Sequence, residues 1–252
     1  MNMNDLFLSH KTIRKYNEQK IDKITLDKIL NAGIRASTTG NMQVYSIIVS
    51  TEKDIKQSLW ECHFKQNMVL QAPVILTFCA DFNRFNKWCD YRKANPGYDN
   101  FLSFYTASID ALLVAQNVAL AAENEELGIC YLGTTTYNAN KIIEILKLPK
   151  YVVPVTTLVV GYPDENPSLT DRLPLSGVVH YEQYHDYSEK LINEIYSEKE
   201  SLSQTKDLIA QNQTENLAQI FTQKRYTKKD NVLFSKAFLK VIEEQGFMNN
   251  AL

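Results

Sequence analysis

The sequence predicts a fold that mixes helices and strands in one domain with a long C-terminal extension. Three observations carry that expectation. Runs rich in β-branched or apolar residues at 44–50, 74–80, 128–134 and 152–160 have the composition of strands. Between them, apolar residues recur at three- and four-residue intervals, the period of an amphipathic helix. The intervening segments are too long for hairpins, so helices alternate with strands. A chain of 252 residues that is 44% hydrophobic has enough apolar material for a sizeable core.

Residues 25–35 read as the first strongly periodic helix, with Leu26, Ile29, Leu30 and Ile34 on one face, Thr25 as its cap and Gly33 near its end. The Gly40-Asn41 turn leads into the strand at 44–50, and residues 54–67 return to helix. Residues 74–80 are nearly all apolar, as expected of a strand covered on both faces. Residues 82–98 place Phe85, Trp88, Tyr91 and Tyr98 among charges and end at Asn95-Pro96-Gly97. Two readings fit them: a partly helical excursion with exposed rings, suited to a lid or an intersubunit contact, or a helix whose rings pack on the core. Residues 104–127 form a long helix that is apolar all round, which implies a central helix or a subunit interface. A short strand and glycine turn follow at 128–134. Asn138 opens a helix through Leu146 that Pro149 ends, and the run 152–160 closes on Gly161-Tyr162-Pro163. Beyond Pro174 the apolar content falls. Residues 187–222 are polar and helix-compatible, and residues 235–246 are amphipathic with Phe238, Leu239, Val241 and Ile242 on one face.

A formal net charge of -2 offers no electrostatic case for nucleic acid or an anionic membrane. No apolar run approaches the roughly 20 residues that span a bilayer. Residues 1–5 have neither the basic region nor the apolar core of a secretory signal, so a cytoplasmic location is expected. Cys62, Cys79, Cys89 and Cys130 form no CxxC pair, and His10, His63, His180 and His185 have no metal-ligand spacing, so no metal site is expected. Cys79 reads as core, and Cys130 as a small residue in a tight turn rather than a nucleophile.

Two polar clusters flank the first periodic helix. His10-Lys11-Thr12-Ile13-Arg14-Lys15-Tyr16 is cationic, and Ser37-Thr38-Thr39-Gly40-Asn41-Met42-Gln43 is rich in hydroxyl and amide groups. Full positive charges suit a phosphate, and uncharged donors and acceptors suit the edge of a polar heterocycle. On spacing alone, a basic turn leading into a capped helix accounts for them equally well.

Set in order along the chain, these motifs resemble the FMN-dependent nitroreductase family, in particular its branch of NADPH-linked flavin reductases and oxygen-insensitive nitroreductases. The family opens with His-Arg-Ser-x-Arg-x-Phe/Tyr, matched by residues 10–16, and continues with a Ser/Thr-rich turn ending in Asn-x-Gln, matched by 37–43. Gln71-Ala72-Pro73-Val74-Ile75-Leu76, Gly128-Ile129-Cys130-Tyr131-Leu132-Gly133, Arg172-Leu173-Pro174-Leu175 with Val178-Val179-His180, and Glu244-Gln245-Gly246-Phe247 resemble later landmarks of the branch. The chain departs from the pattern at Lys11 and Thr12, where Arg and Ser are usual, and at Thr170, where the branch often has Lys.

The resemblance implies an α+β fold with a central, mostly antiparallel sheet flanked by helices. Residues 1–180 would be an FMN-binding core, and residues 181–252 an extension of the same structural domain that wraps the partner of a homodimer. It further implies FMN phosphate against Lys11, Arg14 and Arg172, with His10 and Thr12 nearby. Ser37, Thr38, Thr39, Gln43 and Gln66 would line the polar edge of the flavin, and Tyr131, Leu132 and Gly133 would face its ring system. Lys224 and Arg225, in the densest basic cluster, would meet the 2'-phosphate of NADPH; a solvated charge run is the other reading of that cluster. The family's ping-pong cycle passes hydride from NADPH or NADH through FMN to nitroaromatics, quinones or free flavin, with no general acid-base pair required. Two further readings stand beside it: a specialised relative such as a reductive dehalogenase or flavin-fragmenting enzyme, with residues 82–98 as substrate lid, and a flavin-binding or redox-sensing module without turnover.

Overall fold

The β-branched runs become four antiparallel strands, β1 (Tyr45–Ser50), β2 (Val74–Asp81), β3 (Gly128–Leu132) and β4 (Val152–Gly161), arranged in the order β1-β2-β4-β3. The computed structural model describes residues 3–249; Met1 and Asn2 of the N-terminal stretch lie outside the described residues. Eleven α-helices are found among them: α1 (Met3–Leu8), α2 (Lys23–Gly33), α3 (Lys53–Cys62), α4 (Asn67–Gln71), α5 (Asn83–Tyr91), α6 (Phe101–Asn124), α7 (Ala139–Leu146), α8 (Glu189–Ser201), α9 (Ser203–Asn212), α10 (Leu217–Ile220) and α11 (Lys228–Glu244). They divide between two compact units, residues 3–168 with 234–249, and residues 169–233.

In the first unit, β2 is buried along its whole length between β1 and β4. Alternation of side chains sends Val74, Leu76 and Phe78 to one face, where Val114, Ala115 and Val118 of α6 and Ile29 of α2 cover them. Ile75 goes to the other face, with Leu59 of α3, Val69 of α4 and Ile142 of α7. Val241 and Ile242 of α11 join a third cluster with Phe82 and Phe104. By length and composition alone α6 could span a bilayer, but its inner face is core. Its other face leaves Tyr105, Ile109, Leu112 and Leu113 exposed.

Several boundaries differ from the sequence reading. Helix α2 is capped by Asp22, whose carboxylate accepts the Thr25 backbone N–H at 2.9 Å, because a carboxylate three residues upstream outcompetes a hydroxyl already inside the first turn. Gly33 is a point of close approach: a Cβ there would lie 2.2 Å from Val118 of α6. Cys130 lies within β3, buried in a ladder with β4 and not in a turn. Helix α7 does end at Leu146, and its C-cap Lys147 takes the left-handed conformation ahead of Pro149. Residues 82–98 combine both readings: α5 is regular, yet Trp88 and Tyr91 remain exposed.

In the second unit, α8 starts on Ser188, whose hydroxyl accepts the Leu191 N–H, and its Ile195 packs on Gly177. Lys199 of α8 pairs with Asp171 at 2.6 Å, and α10 runs into a single π turn at Phe221–Arg225.

Candidate functional site

The cationic segment lies along the β3 edge of the sheet. Thr12 bridges Ile129 in parallel, the Ile13 N–H donates to Ile129 O at 2.9 Å, and Tyr16 bridges Pro163. Two facing glycines make room for it. Gly128 and Gly161 are register partners across β3 and β4; a Cβ on Gly128 would sit 2.7 Å from Ile13, and one on Gly161 2.9 Å from Tyr16. Gly128→Ala is therefore expected to destabilise the protein by roughly 1–3 kcal/mol, the usual cost of overpacking a close contact. Urea unfolding checks this, and an unchanged midpoint would mean that Ile13 yields without cost.

Exposed tethers hold this segment without ion-pairing Lys11 or Arg14 among the described residues. Glu165 accepts the backbone N–H groups of Arg14 and Lys15, so the exposed Arg14 guanidinium forms no ion pair among the described residues. Lys11 Nζ donates to the neutral amide of Asn166 at 2.9 Å. His10 turns away, its Nδ1 lying 2.6 Å from Glu123 at the end of α6. Burial pushes the Glu123 carboxyl up, and its bonds with His10 pull it back down. Arg14 and Lys11 are thus two cations without an anion, while His10 is engaged.

The hydroxyl-rich turn is held under strain. Gly40, Asn41 and Gln43 all have φ near +55°, at 55°, 55° and 54°, a region that costs a residue such as Gln about 1 kcal/mol or more. Two groups clamp it. The fully buried carboxylate of Asp110, on α6, accepts the N–H groups of Thr39 (2.9 Å) and Val44 (3.3 Å), and Arg84 Nη2 donates to the carbonyls of Gln43 and Tyr45. Ser37, Thr39 and Gln43 are exposed and Thr38 is half-buried. The two clusters are anchored to α6 at residues 13 apart (Glu123 and Asp110), about 20 Å along the helix axis.

A third region joins the loop after α3 to the turn after β3. His63 is fully buried, with Nδ1 2.8 Å from Thr134 Oγ1, and Asn138 Nδ2 donates to Cys62 O at 2.7 Å. Phe64 leans on Tyr137, which stacks on Phe234 at 4.2 Å. Gln66 is the N-cap residue of α4, outside the following helix, and its amide turns back to His63 O. Tyr131 is half-buried and Leu132 buried, while Gly133 is exposed with open space at its Cβ position. The structure thus brings Gln66 and Gly133 into one tied region.

Arg172, Lys224 and Arg225 belong to the second unit. Arg172 Nη1 donates to Thr170 Oγ1 at 2.7 Å and to Asp171 O at 2.9 Å, so Thr170 holds the guanidinium where the branch often has Lys. Lys224 and Arg225 are exposed at the end of the π turn. The supporting residues Glu123, Glu165, Asp110, Arg84 and His63 escaped the sequence reading, since each acts on a segment remote in sequence and none carries a local motif.

The site thus combines a helix-flanked antiparallel sheet, cations along one edge that form no ion pair among the described residues, and a clamped hydroxyl turn beside another strand. The chain belongs to the nitroreductase family, whose model matches residues 8–162. It is similar to the oxygen-insensitive NADPH nitroreductase of Salmonella typhimurium, 33% identical over 188 residues, which cover 75% of this chain and 77% of that protein. A solved structure of a candidate oxidoreductase from Bacteroides fragilis is 51% identical over 97% of this chain and 100% of its own, with a TM-score of 0.96. The NADPH:FMN oxidoreductase of Vibrio harveyi, complexed with NAD+, aligns over 98% of this chain and 99% of its own at 26% identity and a TM-score of 0.81. The protein is an oxidoreductase.

Proposed function

We propose that this enzyme binds FMN and uses it to carry hydride from NADPH or NADH to small acceptors such as nitroaromatics, quinones or free flavin in a ping-pong cycle. The observation that carries this reading is the pair Lys11 and Arg14: two cations that form no ion pair among the described residues, Lys11 donating to the neutral amide of Asn166 and Glu165 binding the backbone at Arg14, on a segment seated by two glycines. That is the chemistry a phosphate requires. Thr12 and His10 flank it, Arg172 supplies a further cation, and Lys224 and Arg225 meet the 2'-phosphate of NADPH. Ser37, Thr38, Thr39, Gln43 and Gln66 present donors and acceptors to the polar edge of the ring, and Tyr131, Leu132 and Gly133 border it. FMN, when bound, supplies the two-electron hydride chemistry; the protein binds it, orients it and sets its electrostatic field.

The cofactor is expected between two copies of this chain, residues 1–180 forming the core; of the extension 181–252, residues 234–249 pack into that same core, which leaves the part before them to wrap the partner. The 20 Å spacing of the two clusters along α6 and the exposed Tyr105, Ile109, Leu112 and Leu113 support an interface there. Sedimentation should find a dimer, and a monomer at micromolar concentration would remove this arrangement. A cytoplasmic location accompanies the proposal.

Purified protein should be yellow, absorb near 450 nm and bleach on adding NADPH; a colourless protein that FMN cannot reconstitute would sink the reading. Arg14→Ala should weaken FMN retention by about 1.5–3 kcal/mol, the worth of a charge-assisted hydrogen bond. Equal FMN affinity in that variant would remove Arg14 from the phosphate site.

A further inference from the structure

A cleft of about 510 Å³ opens beside the clamped turn, lined by Gly40, Asn41, Met42, Arg84, Phe85 and Trp88. Its chemistry is one-sided. Trp88 is 55% exposed, yet Phe85 meets it edge-on at 5.3 Å, Tyr98 meets Phe85 edge-on at 5.4 Å, and Tyr98 stacks at 4.8 Å on the buried Phe82. A chain of rings rooted in the core therefore steadies the indole, whose exposed surface faces outward. Arg84 uses Nη2 on the carbonyls of Gln43 and Tyr45, and its remaining N–H groups donate to nothing in the protein among the described residues. No carboxylate forms an ion pair with it there. Asp81, three residues away, is buried and occupied by the Ser46 hydroxyl and the backbone N–H of Arg84. Asn41 adds a side-chain amide, and no acidic residue lines the cleft.

An unneutralised guanidinium beside a rigid aromatic wall selects a flat ring that carries an anion: the ring stacks, and the anion takes charge-assisted bonds. The geometry points to a recognition site in this cleft for planar aromatic electron acceptors bearing a carboxylate, held through Trp88, Phe85 and Arg84. This inference rests on the proposed placement of residues 37–43 at the flavin's polar edge, because a ligand beside that turn then lies next to the reacting ring.

The test compares 4-nitrobenzoate with nitrobenzene as acceptors for the holoenzyme at saturating NADPH, in wild type, Trp88→Leu, Arg84→Gln and Arg84→Lys. Arg84→Gln should raise KM for 4-nitrobenzoate about tenfold more than KM for nitrobenzene, the usual scale for losing a charge-assisted contact, whereas Trp88→Leu removes the stacking wall and should raise KM for both acceptors. Arg84→Lys keeps the charge and should retain most of the preference, which separates anion recognition from clamping of the turn. Parallel changes for both acceptors in Arg84→Gln, or unchanged KM for both in Trp88→Leu, would overturn the site. An adenine nucleotide shares the flat ring and the anion. If 2'-AMP competes with NADPH in wild type and that competition is lost in these variants while acceptor KM values stay fixed, the cleft serves the nucleotide and the inference falls. Calorimetric titration with 4-nitrobenzoate stands apart from turnover. Binding lost in Arg84→Gln supports the cleft even in a protein that fails to oxidise NADPH, whereas absent binding in wild type overturns it.

Discussion

Asp110→Ala should lower the unfolding free energy by roughly 2–5 kcal/mol, because it strips two backbone N–H groups of their acceptor and opens a void inside α6's core face. The Val44 N–H is the costlier loss, since Val44 is fully buried and has no water to turn to, whereas Thr39 is exposed. Asp110→Asn keeps one acceptor oxygen and should fall between wild type and the alanine variant. The second consequence is functional. With one of its two clamps gone and only Arg84 left, the turn is freer to relax from φ of 54° at Gln43 toward the ordinary β region, regaining about 1 kcal/mol or more and misplacing the groups offered to the cofactor. FMN affinity should therefore drop in Asp110→Ala even at temperatures where the protein stays folded. Urea unfolding and FMN titration read the two effects separately. Unaltered FMN affinity in a destabilised variant would confine Asp110 to the core.

The contrast between Asp110 and the turn it holds shows what the sequence makes legible. Strands β1, β2 and β4 announce themselves because β-branched residues suit a pleated, covered surface, and α6 does so through its length and apolarity. The family's motifs are legible as chemistry for the same local reason: residues 10–16 and 37–43 each carry their signature within seven positions. Their supports are not. Asp110 stands 71 residues from Thr39, Glu165 lies 151 from Arg14, and Glu123 is 113 from His10. Such pairings depend on how α6 and the segment after β4 pack, which no local periodicity encodes. Gly33 illustrates the same limit at short range: its position in the sequence fits a helix end, while its function is to let α2 approach Val118. The start of α11 at Lys228 is harder to read because its first turn, Lys228-Lys229-Asp230-Asn231, is polar, and Val232, Leu233 and Phe234 then follow consecutively rather than at helical spacing.

Acidification should destabilise the protein through His63. Burial holds its imidazole well below the usual histidine value, at about 4 against 6.5. The surroundings of the two ring nitrogens explain why. Nδ1 pairs with Thr134 Oγ1, while Nε2 is buried and has no partner among the described residues. A second proton would make the ring a buried cation with an N–H that no protein group accepts. Because the folded-state value lies below the unfolded one, the unfolded chain takes up a proton that the native chain refuses. The stabilising effect of neutral His63 is thus complete above pH 6.5 and is lost as pH falls from 6.5 to about 4. At 1.36 kcal/mol per pKa unit, the total approaches roughly 3 kcal/mol. Glu123 opposes part of this, since a carboxyl raised by burial favours the fold on protonation. His63→Asn isolates the histidine, because the amide can still bond Thr134 but does not titrate. The wild-type urea midpoint should decline between pH 7 and pH 4.5, and that of His63→Asn should decline much less; FMN-free protein is used so that cofactor release does not contribute. Identical slopes in both proteins would place the acid sensitivity elsewhere. A steeper wild-type slope accompanied by FMN release from the holoenzyme in the same window would tie His63 to the cofactor pocket, since Thr134 follows Gly133 and Gln66 bonds the His63 carbonyl.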